Sequence, residues 1–240
     1  MKVISVASLK GGSGKTSVSI FLAQLFALKG RVLAVDLDHN NNLTDYFLRR
    51  TDTGKIEGAN IYQALAGTRK LGDCIHAAEE HANIAVLPAT PQLARIGLEL
   101  ARDPGAILRF AKSLRKLDFV AIVIDTPPAL SFELSCALYS SSIVLSPVSF
   151  SRWTVQGFAL LRDETQAVAG ATGRSPVLRA LPAQVNDAQE EKLRGAEFAD
   201  FTESAIHRSA AIKAACDSGR PLKAGSASHR QFAALAEELL

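Results

Sequence analysis

The fold is decided by the stretch Lys10-Gly11-Gly12-Ser13-Gly14-Lys15-Thr16, which lies between a short apolar run and a segment with helical periodicity. The run before it, Lys2 to Ala7, is rich in Val and Ile and predicts a buried strand. The segment after it, Thr16 to Lys29, has apolar residues at helical spacing and is followed by Gly30, a typical helix-ending residue. A glycine-rich loop between a strand and a helix is an arrangement that binds phosphate groups.

Each residue type in this loop is suited to binding phosphate. Glycines allow the backbone to curve around a phosphate with its N–H groups pointing inward, and the helix N-terminus adds partial positive charge. We expect Lys15 to reach the β- and γ-phosphates and the Thr16 hydroxyl to ligate Mg²⁺. The predicted nucleotide-binding residues are Lys10, Gly11, Gly12, Ser13, Gly14, Lys15, Thr16 and Ser17.

The rest of the chain alternates short apolar runs with helical segments, which predicts an α/β fold with a mostly parallel twisted sheet covered by helices on both faces. The predicted strands after the first are Arg31 to Val35, Asn83 to Leu87, Phe119 to Ile124, Ser142 to Pro147 and Val177 to Leu181. The predicted helices after the first are Ile61 to Leu65, Pro91 to Ala101, Ala106 to Leu117 and Thr154 to Val168. Because no Pro/Gly/Ser-rich linker interrupts this pattern, we expect residues 1–240 to form a single domain.

The composition narrows the class of protein. The 240 residues are 48% hydrophobic and 21% charged, and the net charge of +3 is too small to indicate nucleic acid by itself. Three cysteines without a pairing motif argue against a secreted disulfide scaffold. No apolar run reaches the length of a membrane span. We therefore expect a cytoplasmic protein.

Carboxylates follow two of the predicted strands. Asp36 and Asp38 stand at i and i+2 after Val35, so on an extended backbone both side chains point the same way. Asp125 follows the apolar strand Phe119 to Ile124, which is the Walker B arrangement for holding the shell of a magnesium ion. An aspartate after a strand is also a common turn former or helix cap, and that simpler interpretation stays open for Asp36 and Asp38.

The loop departs from the strict pattern G-x-x-x-x-G-K-[ST], because Leu9 stands where its first glycine belongs. It has Lys10 directly before the double glycine, and in this it resembles the deviant Walker A family of P-loop NTPases, which includes ParA partition ATPases, MinD and the nitrogenase iron protein. The resemblance implies an ATPase that needs ATP and Mg²⁺, hydrolyses slowly and is stimulated by a partner. It also implies a nucleotide-sandwich homodimer in which Lys10 crosses to the ATP of the other chain.

The same resemblance assigns roles to the acidic residues. Asp38 would position or activate the attacking water, so the implied catalytic residues are Lys10, Lys15 and Asp38. Asp36 would support the magnesium region, so the implied metal set is Thr16, Asp36 and Asp125. The family usually continues Asp-Pro-Gln-Gly-Asn, whereas this chain has His39-Asn40-Asn41-Asn42, which leaves the hydrolysis rate open. We interpret His39 as a solvent-facing loop histidine rather than a base.

The resemblance extends toward the C-terminus and, because the first strand begins at residue 2, it points to the short ParA type without a preceding DNA-binding domain. The stretches Ile206-His207-Arg208 and Gly219-Arg220-Pro221 resemble family segments. Asn186 and Pro221 lie where the family contacts adenine, although a polar loop end and a helix-stopping proline explain them equally well.

A basic region follows. The stretch from Ser204 to Ala236 contains one acidic residue, Asp217, and five cationic residues, Arg208, Lys213, Arg220, Lys223 and Arg230. Such charge favours sequence-independent contact with DNA phosphates. The simpler interpretation is a solvated helical face. The ParA resemblance favours nonspecific DNA on the nucleoid, with a centromere-bound protein of the ParB kind as partner.

Two alternatives stay open, and a third is disfavoured. A MinD-like or protein-cargo ATPase would act on a membrane or a protein scaffold, but the final segment Gln231 to Leu240 is acidic, so we expect no membrane docking. An iron–sulfur role needs spaced cysteines, and Cys136 does not provide them. A nucleotide-gated dimerisation switch with negligible turnover is the non-enzymatic alternative.

Overall fold

The computed structural model describes residues 1–103 and 105–240. The strands are β1 (Lys2–Val6), β2 (Val32–Asp36), β3 (His76–Ala77), β4 (Ile84–Leu87), β5 (Ala121–Asp125), β6 (Ile143–Val148), β7 (Val177–Val185) and β8 (Ile206–His207). The helices are α1 (Lys15–Phe26), α2 (Asn42–Leu48), α3 (Thr53–Gly58), α4 (Ile61–Ala66), α5 (Ile96–Glu99), α6 (Ala106–Leu114), α7 (Phe132–Ser140), α8 (Thr154–Thr172), α9 (Asp187–Gly195), α10 (Ala210–Ser218) and α11 (Ala227–Leu239). Two 3₁₀ helices span Leu71–Cys74 and Pro91–Arg95.

The described strands form an eight-stranded sheet in the order β3-β4-β2-β5-β1-β6-β7-β8. All neighbouring strands are parallel except the edge pair β3 and β4. The predicted α/β class with a mostly parallel sheet is therefore confirmed. Because β1, β2 and β5 are neighbours, their carboxyl ends bring the phosphate loop and the acidic residues to one edge of the sheet.

The sheet buries both of its faces. Along β5, Ala121 and Val123 pack into one hydrophobic cluster with α1, α2 and α11, whereas Ile122 and Ile124 pack into another with α4, α6 and α7. This alternation follows from the two-residue period of a strand. It explains why β2 and β5 are apolar at every position before their terminal aspartates.

The structure differs from the sequence-based prediction at three kinds of place. The segment predicted as one helix from Pro91 to Ala101 is a 3₁₀ helix followed by the short α5. Helices α2, α3 and α7 were not predicted; α7 begins where the side chain of Ser131 accepts a hydrogen bond from Leu134 N. Strands β3 and β8 have two residues each, too few for a periodic pattern to reveal them.

Gly30 does not cap the first helix as the sequence predicts, because α1 ends at Phe26 with Ala27 as its C-cap and Gly30 follows in the turn before β2. Its φ of +151° lies outside the range that side-chain-bearing residues commonly adopt, and a Cβ atom there would lie 2.5 Å from Cγ2 of Val120. Glycine is thus required for the close approach of this turn to the residue before β5.

Candidate nucleotide-binding site

The loop between β1 and α1 has a backbone that only glycines adopt easily. Gly12 and Gly14 have φ angles of +69° and +91°, and α1 starts directly after Gly14. The first-turn N–H groups of α1 therefore face the loop interior with the positive end of the helix dipole. The Ser13 hydroxyl is buried and has no hydrogen-bond partner among the described residues, so it can form a hydrogen bond with a polar ligand in the loop.

Lys15 lies inside this loop rather than in solvent. Its Nζ donates a 3.1 Å hydrogen bond to the carbonyl oxygen of Lys10, and the residue is buried. Burial lowers the pKa of the Lys15 ammonium, and the negative charges of Asp125 and Asp38 partly oppose that shift. A cation with so few partners is available to an anionic ligand.

Asp125 connects the end of β5 to the first turns of α1. Its Oδ2 accepts a 2.7 Å hydrogen bond from the Thr16 hydroxyl, and its Oδ1 accepts a 3.0 Å hydrogen bond from the Ser19 hydroxyl. Burial raises the pKa of Asp125 to about 7, the neighbouring charge of Asp36 adds to the shift, and the two hydroxyl donors and Lys15 oppose it. A threonine hydroxyl beside a carboxylate is the pair of oxygen donors that Mg²⁺ uses next to phosphates.

Asp36 lies opposite Asp125 on the neighbouring strand β2. Its Oδ1 accepts from the backbone N–H of Asp38 at 3.1 Å, and its Oδ2 accepts from the Thr44 N–H and hydroxyl at 2.9 and 2.8 Å. Burial raises the pKa of Asp36 to about 6, and the hydrogen bonds from Thr44 hold the shift back. Oδ2 thus holds α2 against the end of β2, and Oδ1 holds the backbone of the loop between them.

Asp38 stands on the loop between β2 and α2. Its Oδ1 accepts from the backbone and side-chain amides of Asn40 at 3.0 and 2.9 Å. The half-exposed His39 ring has its Nδ1 3.9 Å from the same oxygen. Asn40, which departs from the family pattern, therefore fixes the Asp38 carboxylate within its own loop.

Lys10 is exposed, in contrast to Lys15. Its Nζ donates a 3.1 Å hydrogen bond to Ser149 Oγ, on the segment after β6. The two lysines of the loop consequently face different surroundings, one inside the loop and one at the protein surface.

A cavity of about 560 Å³ adjoins the phosphate loop on the side of β7 and β8. Its lining includes Gly14 and Ser17 from the loop and first helix, and Gln184, His207 and Arg208 from the far strands. Gln184 and His207 were not predicted as site residues, because only the fold brings them to the loop. Asn186 and Pro221 lie elsewhere: Asn186 caps α9 in a capping box with Gln189, and Pro221 lines a separate cavity with Phe21 and Leu28.

The five predicted DNA-contacting residues are exposed but do not share one setting. Arg208 and Lys213 line the cavity beside the phosphate loop, and Lys213 pairs with Asp217 at 3.1 Å. Arg220 and Lys223 lie on the segment between α10 and α11, and Arg230 lies on α11. Within residues 1–103 and 105–240, neither Arg220 nor Lys223 forms an ion pair.

Together, the parallel sheet, the phosphate loop at the end of β1 and the paired aspartates on β2 and β5 define a P-loop NTPase of the deviant Walker A type. The chain belongs to the AAA_31 family, whose model, described as an AAA domain, matches residues 1–175. Within that family it is a ParA-type protein. The "Chromosome-partitioning ATPase Soj" of Thermus thermophilus is 34% identical over 179 residues, which are 74% of this chain and 66% of that protein. The chain thus spans about two thirds or less of the length of the curated relatives it matches first.

Solved structures share the fold over nearly the whole chain. A putative plasmid partition protein from Borrelia burgdorferi B31 bound to AMPPNP superposes with a TM-score of 0.85 at 21% identity, covering 99% of this chain and 97% of that one. A cobyrinic acid a,c-diamide synthase from Mycobacterium smegmatis, with bound ATP analog and magnesium, superposes with a TM-score of 0.81 at 22% identity, covering 99% and 93%. A partition protein and a synthase therefore share this fold, so the fold alone does not decide the activity.

Among the helices that the structure describes, none combines the length and the apolarity that a membrane span requires.

Proposed function

We propose that this chain is a Mg²⁺-dependent ATPase of the partition type. In this proposal its ATP-bound homodimer binds DNA without sequence preference, and partner-stimulated hydrolysis releases it. The observation that carries the proposal is the phosphate loop with Lys10 before its double glycine, set beside the Thr16–Asp125 hydrogen bond. The similarity to the chromosome-partitioning ATPase Soj of Thermus thermophilus supports the biological class.

The residues at the loop fit a magnesium–nucleotide complex. Gly12 and Gly14 leave the backbone N–H groups free to face phosphate oxygens, and the unpartnered Ser13 hydroxyl lies in the same loop. Thr16 and Asp125 supply oxygen donors for the ion, directly or through water. When bound, Mg²⁺ neutralises charge on the phosphates. Asp36 supports this region indirectly, because its own oxygens hold Thr44 and Asp38.

The adenine base and ribose fit the cavity next to Ser17. The base would lie near Gln184 and Arg208 rather than near Asn186 and Pro221, because the first two residues line the cavity. An apolar floor with a few polar groups at its rim is the usual character of a nucleotide-base pocket.

Lys15, Asp38 and Lys10 have separate roles in hydrolysis. Lys15, inside the loop, offsets phosphate charge, and Asp38 orients the attacking water through a carboxylate that Asn40 holds in place. Lys10, at the surface, is free to exchange its hydrogen bond with Ser149 for a phosphate of the partner chain. Two such exchanges, one in each direction, would close a symmetric dimer.

The exposed cations between α10 and α11 carry the DNA part of the proposal. Arg220 and Lys223 have no acidic partner within the described ranges, so their charge is available to phosphates. A partner of the ParB kind would then control release by stimulating hydrolysis, and location on the nucleoid in the cytoplasm would follow from the DNA contact.

The test is DNA binding by the purified protein without nucleotide, with ADP, and with a non-hydrolysable ATP analogue, on unrelated DNA at two salt concentrations. Binding that appears only with the ATP analogue and weakens with salt supports the proposal. Absence of binding in every state, together with ATP-dependent dimerisation, would contradict the DNA part and favour a protein or membrane scaffold as the surface on which the ATPase acts.

A further inference from the structure

Gln184 has a backbone conformation that its residue type avoids. Its φ is +57°, in the left-handed region, and the pairing of β7 with β8 shifts register between Ala183 and Val185. A glutamine in this region costs conformational energy, and such cost persists where the surrounding structure imposes it, often at functional sites. Because of this irregularity, the side chain of Gln184 does not follow the regular alternation of the strand at the end of β7.

The displaced side chain reaches the phosphate loop. Gln184 Nε2 donates a 2.9 Å hydrogen bond to the carbonyl oxygen of Gly12, a residue 172 positions earlier in the chain. The same nitrogen would lie 3.2 Å from a Cβ atom placed on Gly14, so the amide packs directly on the loop. From the other side, Arg208 Nη2 donates to the carbonyl oxygen of Gln184 at 3.4 Å. Gln184 thus joins the cavity wall to the loop.

The geometry points to Gln184 as a positioning residue for the phosphate loop, an inference that rests on the nucleotide binding proposed above. In a trans peptide the C=O and the following N–H point in opposite directions. Fixing the Gly12 carbonyl toward Gln184 therefore fixes the Ser13 N–H toward the opposite side of that peptide plane. Because the Ser13 N–H is already oriented before an anion binds, binding costs no reorganisation of this donor. The donor faces the phosphates and not the base, so the gain in affinity applies to every nucleotide that carries the phosphates.

Two variants separate this role from a merely structural one. Gln184→Gly removes the side chain and suits the left-handed backbone, so it relieves strain rather than adding it. Gln184→Glu keeps the size but replaces the donor with a carboxylate that repels the Gly12 carbonyl. The control is Gln166→Glu, which makes the same change of charge at an exposed glutamine on α8.

We expect both variants to raise the dissociation constants of ATP and of ADP by about fivefold or more, the factor that corresponds to one net hydrogen bond. The two nucleotides should weaken by similar factors, and the preference for ATP over GTP should not change. In the nucleotide-free protein, amide hydrogen exchange at Ser13 should accelerate in both variants and not in Gln166→Glu. The melting temperature of Gln184→Gly should stay the same or rise.

Unchanged dissociation constants and unchanged exchange at Ser13 would overturn the inference. A change confined to the preference for ATP over GTP would also overturn it, because Gln184 would then recognise the base. A fall in the melting temperature of Gln184→Gly together with the loss of affinity would overturn it as well, because the role would then be structural. If the unaltered protein binds no nucleotide, the proposed function fails, and the exchange experiment still judges Gln184 separately.

Discussion

Thr16 and Asp125 are joined by a 2.7 Å hydrogen bond from the threonine hydroxyl to Oδ2 of the carboxylate, which connects the first turn of α1 to the end of β5. Ser19 occupies the other oxygen at 3.0 Å, so the whole carboxylate is fixed by one helix. A magnesium ion that enters between the loop and β5 would find these oxygens already oriented.

Replacing Thr16 with Val should raise the Mg²⁺ concentration needed for half-maximal hydrolysis by roughly 10- to 100-fold, because an oriented oxygen donor is lost without a change of shape. Thr16→Ser keeps the hydroxyl and should retain most of the activity. The measurement is a magnesium titration of phosphate release. Equal magnesium dependence in Thr16→Val and Thr16→Ser would remove Thr16 from the metal shell.

Lys10 should act between chains rather than within its own. Because its ammonium is exposed and bonded only to Ser149 among the described residues, Lys10→Gln should leave nucleotide binding by the single chain intact. It should abolish ATP-dependent dimerisation and reduce hydrolysis on the order of 10³-fold, as the loss of an arginine finger does. Light scattering with and without an ATP analogue measures the dimer. Lys112→Gln, an exposed lysine on α6, is the matched control and should dimerise normally.

Asp38→Ala should trap the ATP-bound dimer. Loss of a group that orients the attacking water lowers hydrolysis on the order of 10²- to 10⁴-fold, while the phosphate-binding residues remain. Phosphate release and the amount of dimer that persists after ATP addition measure the two effects. The matched control is His39→Ala, the half-exposed neighbour, which should hydrolyse ATP at the unaltered rate. Phosphate release by Asp38→Ala at the unaltered rate would refute the role assigned to Asp38.

The features that could be predicted from the sequence are the local ones. The phosphate loop and the aspartates after β2 and β5 are contiguous patterns, and a parallel sheet brings the carboxyl ends of its strands together whatever the details. The contacts of Gln184 with Gly12, and of Thr44 with Asp36, depend on how separate segments cross. No spacing in the chain encodes those contacts, so only the structure reveals them. The single-domain organisation of residues 1–240 stays a prediction.

The positions of the basic residues in the fold could not be predicted from the sequence either. The sequence groups Arg208 with Arg220 because both belong to one cationic stretch. The structure separates them, since Arg208 lines the cavity beside the loop and Arg220 follows α10. Charge counting along the chain cannot distinguish a residue at a pocket wall from one at an open surface.

Thr44 should be important for stability as well as for the site. Its hydroxyl donates to Asp36 and accepts a 2.9 Å hydrogen bond from Ala89 N, all in a buried setting. Thr44→Val leaves the buried Ala89 N–H without its partner, and it leaves Asp36 Oδ2 with only the backbone N–H of residue 44, so it should lower the free energy of unfolding by about 2 kcal/mol. Thr44→Ser keeps the hydroxyl and should cost less. Urea denaturation measures the difference, and equal losses for Val and Ser would indicate that the methyl group, not the hydroxyl, matters.

The separation of the basic residues predicts two different defects. Replacing Arg220 and Lys223 together with Glu should abolish DNA binding by the ATP-bound protein and leave ATP affinity unchanged, because neither residue lines the cavity beside the phosphate loop. Arg208→Glu should weaken nucleotide binding itself, because its guanidinium lies at the wall of that cavity and bonds the Gln184 carbonyl. The control is the pair Lys112→Glu and Lys116→Glu, which makes the same change of charge on or beside α6, a helix that covers the opposite face of the sheet.

Fluorescence anisotropy on labelled DNA and on a labelled nucleotide measures both defects on the same preparations. For the Arg220 and Lys223 variants taken singly, the slope of log affinity against log salt should fall by about one, because each substitution removes one bond to a phosphate. The control pair should bind DNA as the unaltered protein does, because reversing the charge on the face of the sheet covered by α6 leaves the proposed DNA-binding surface intact. If it loses DNA binding to the same extent, net charge rather than a surface between α10 and α11 would govern the interaction, and the proposed DNA-binding surface would be wrong.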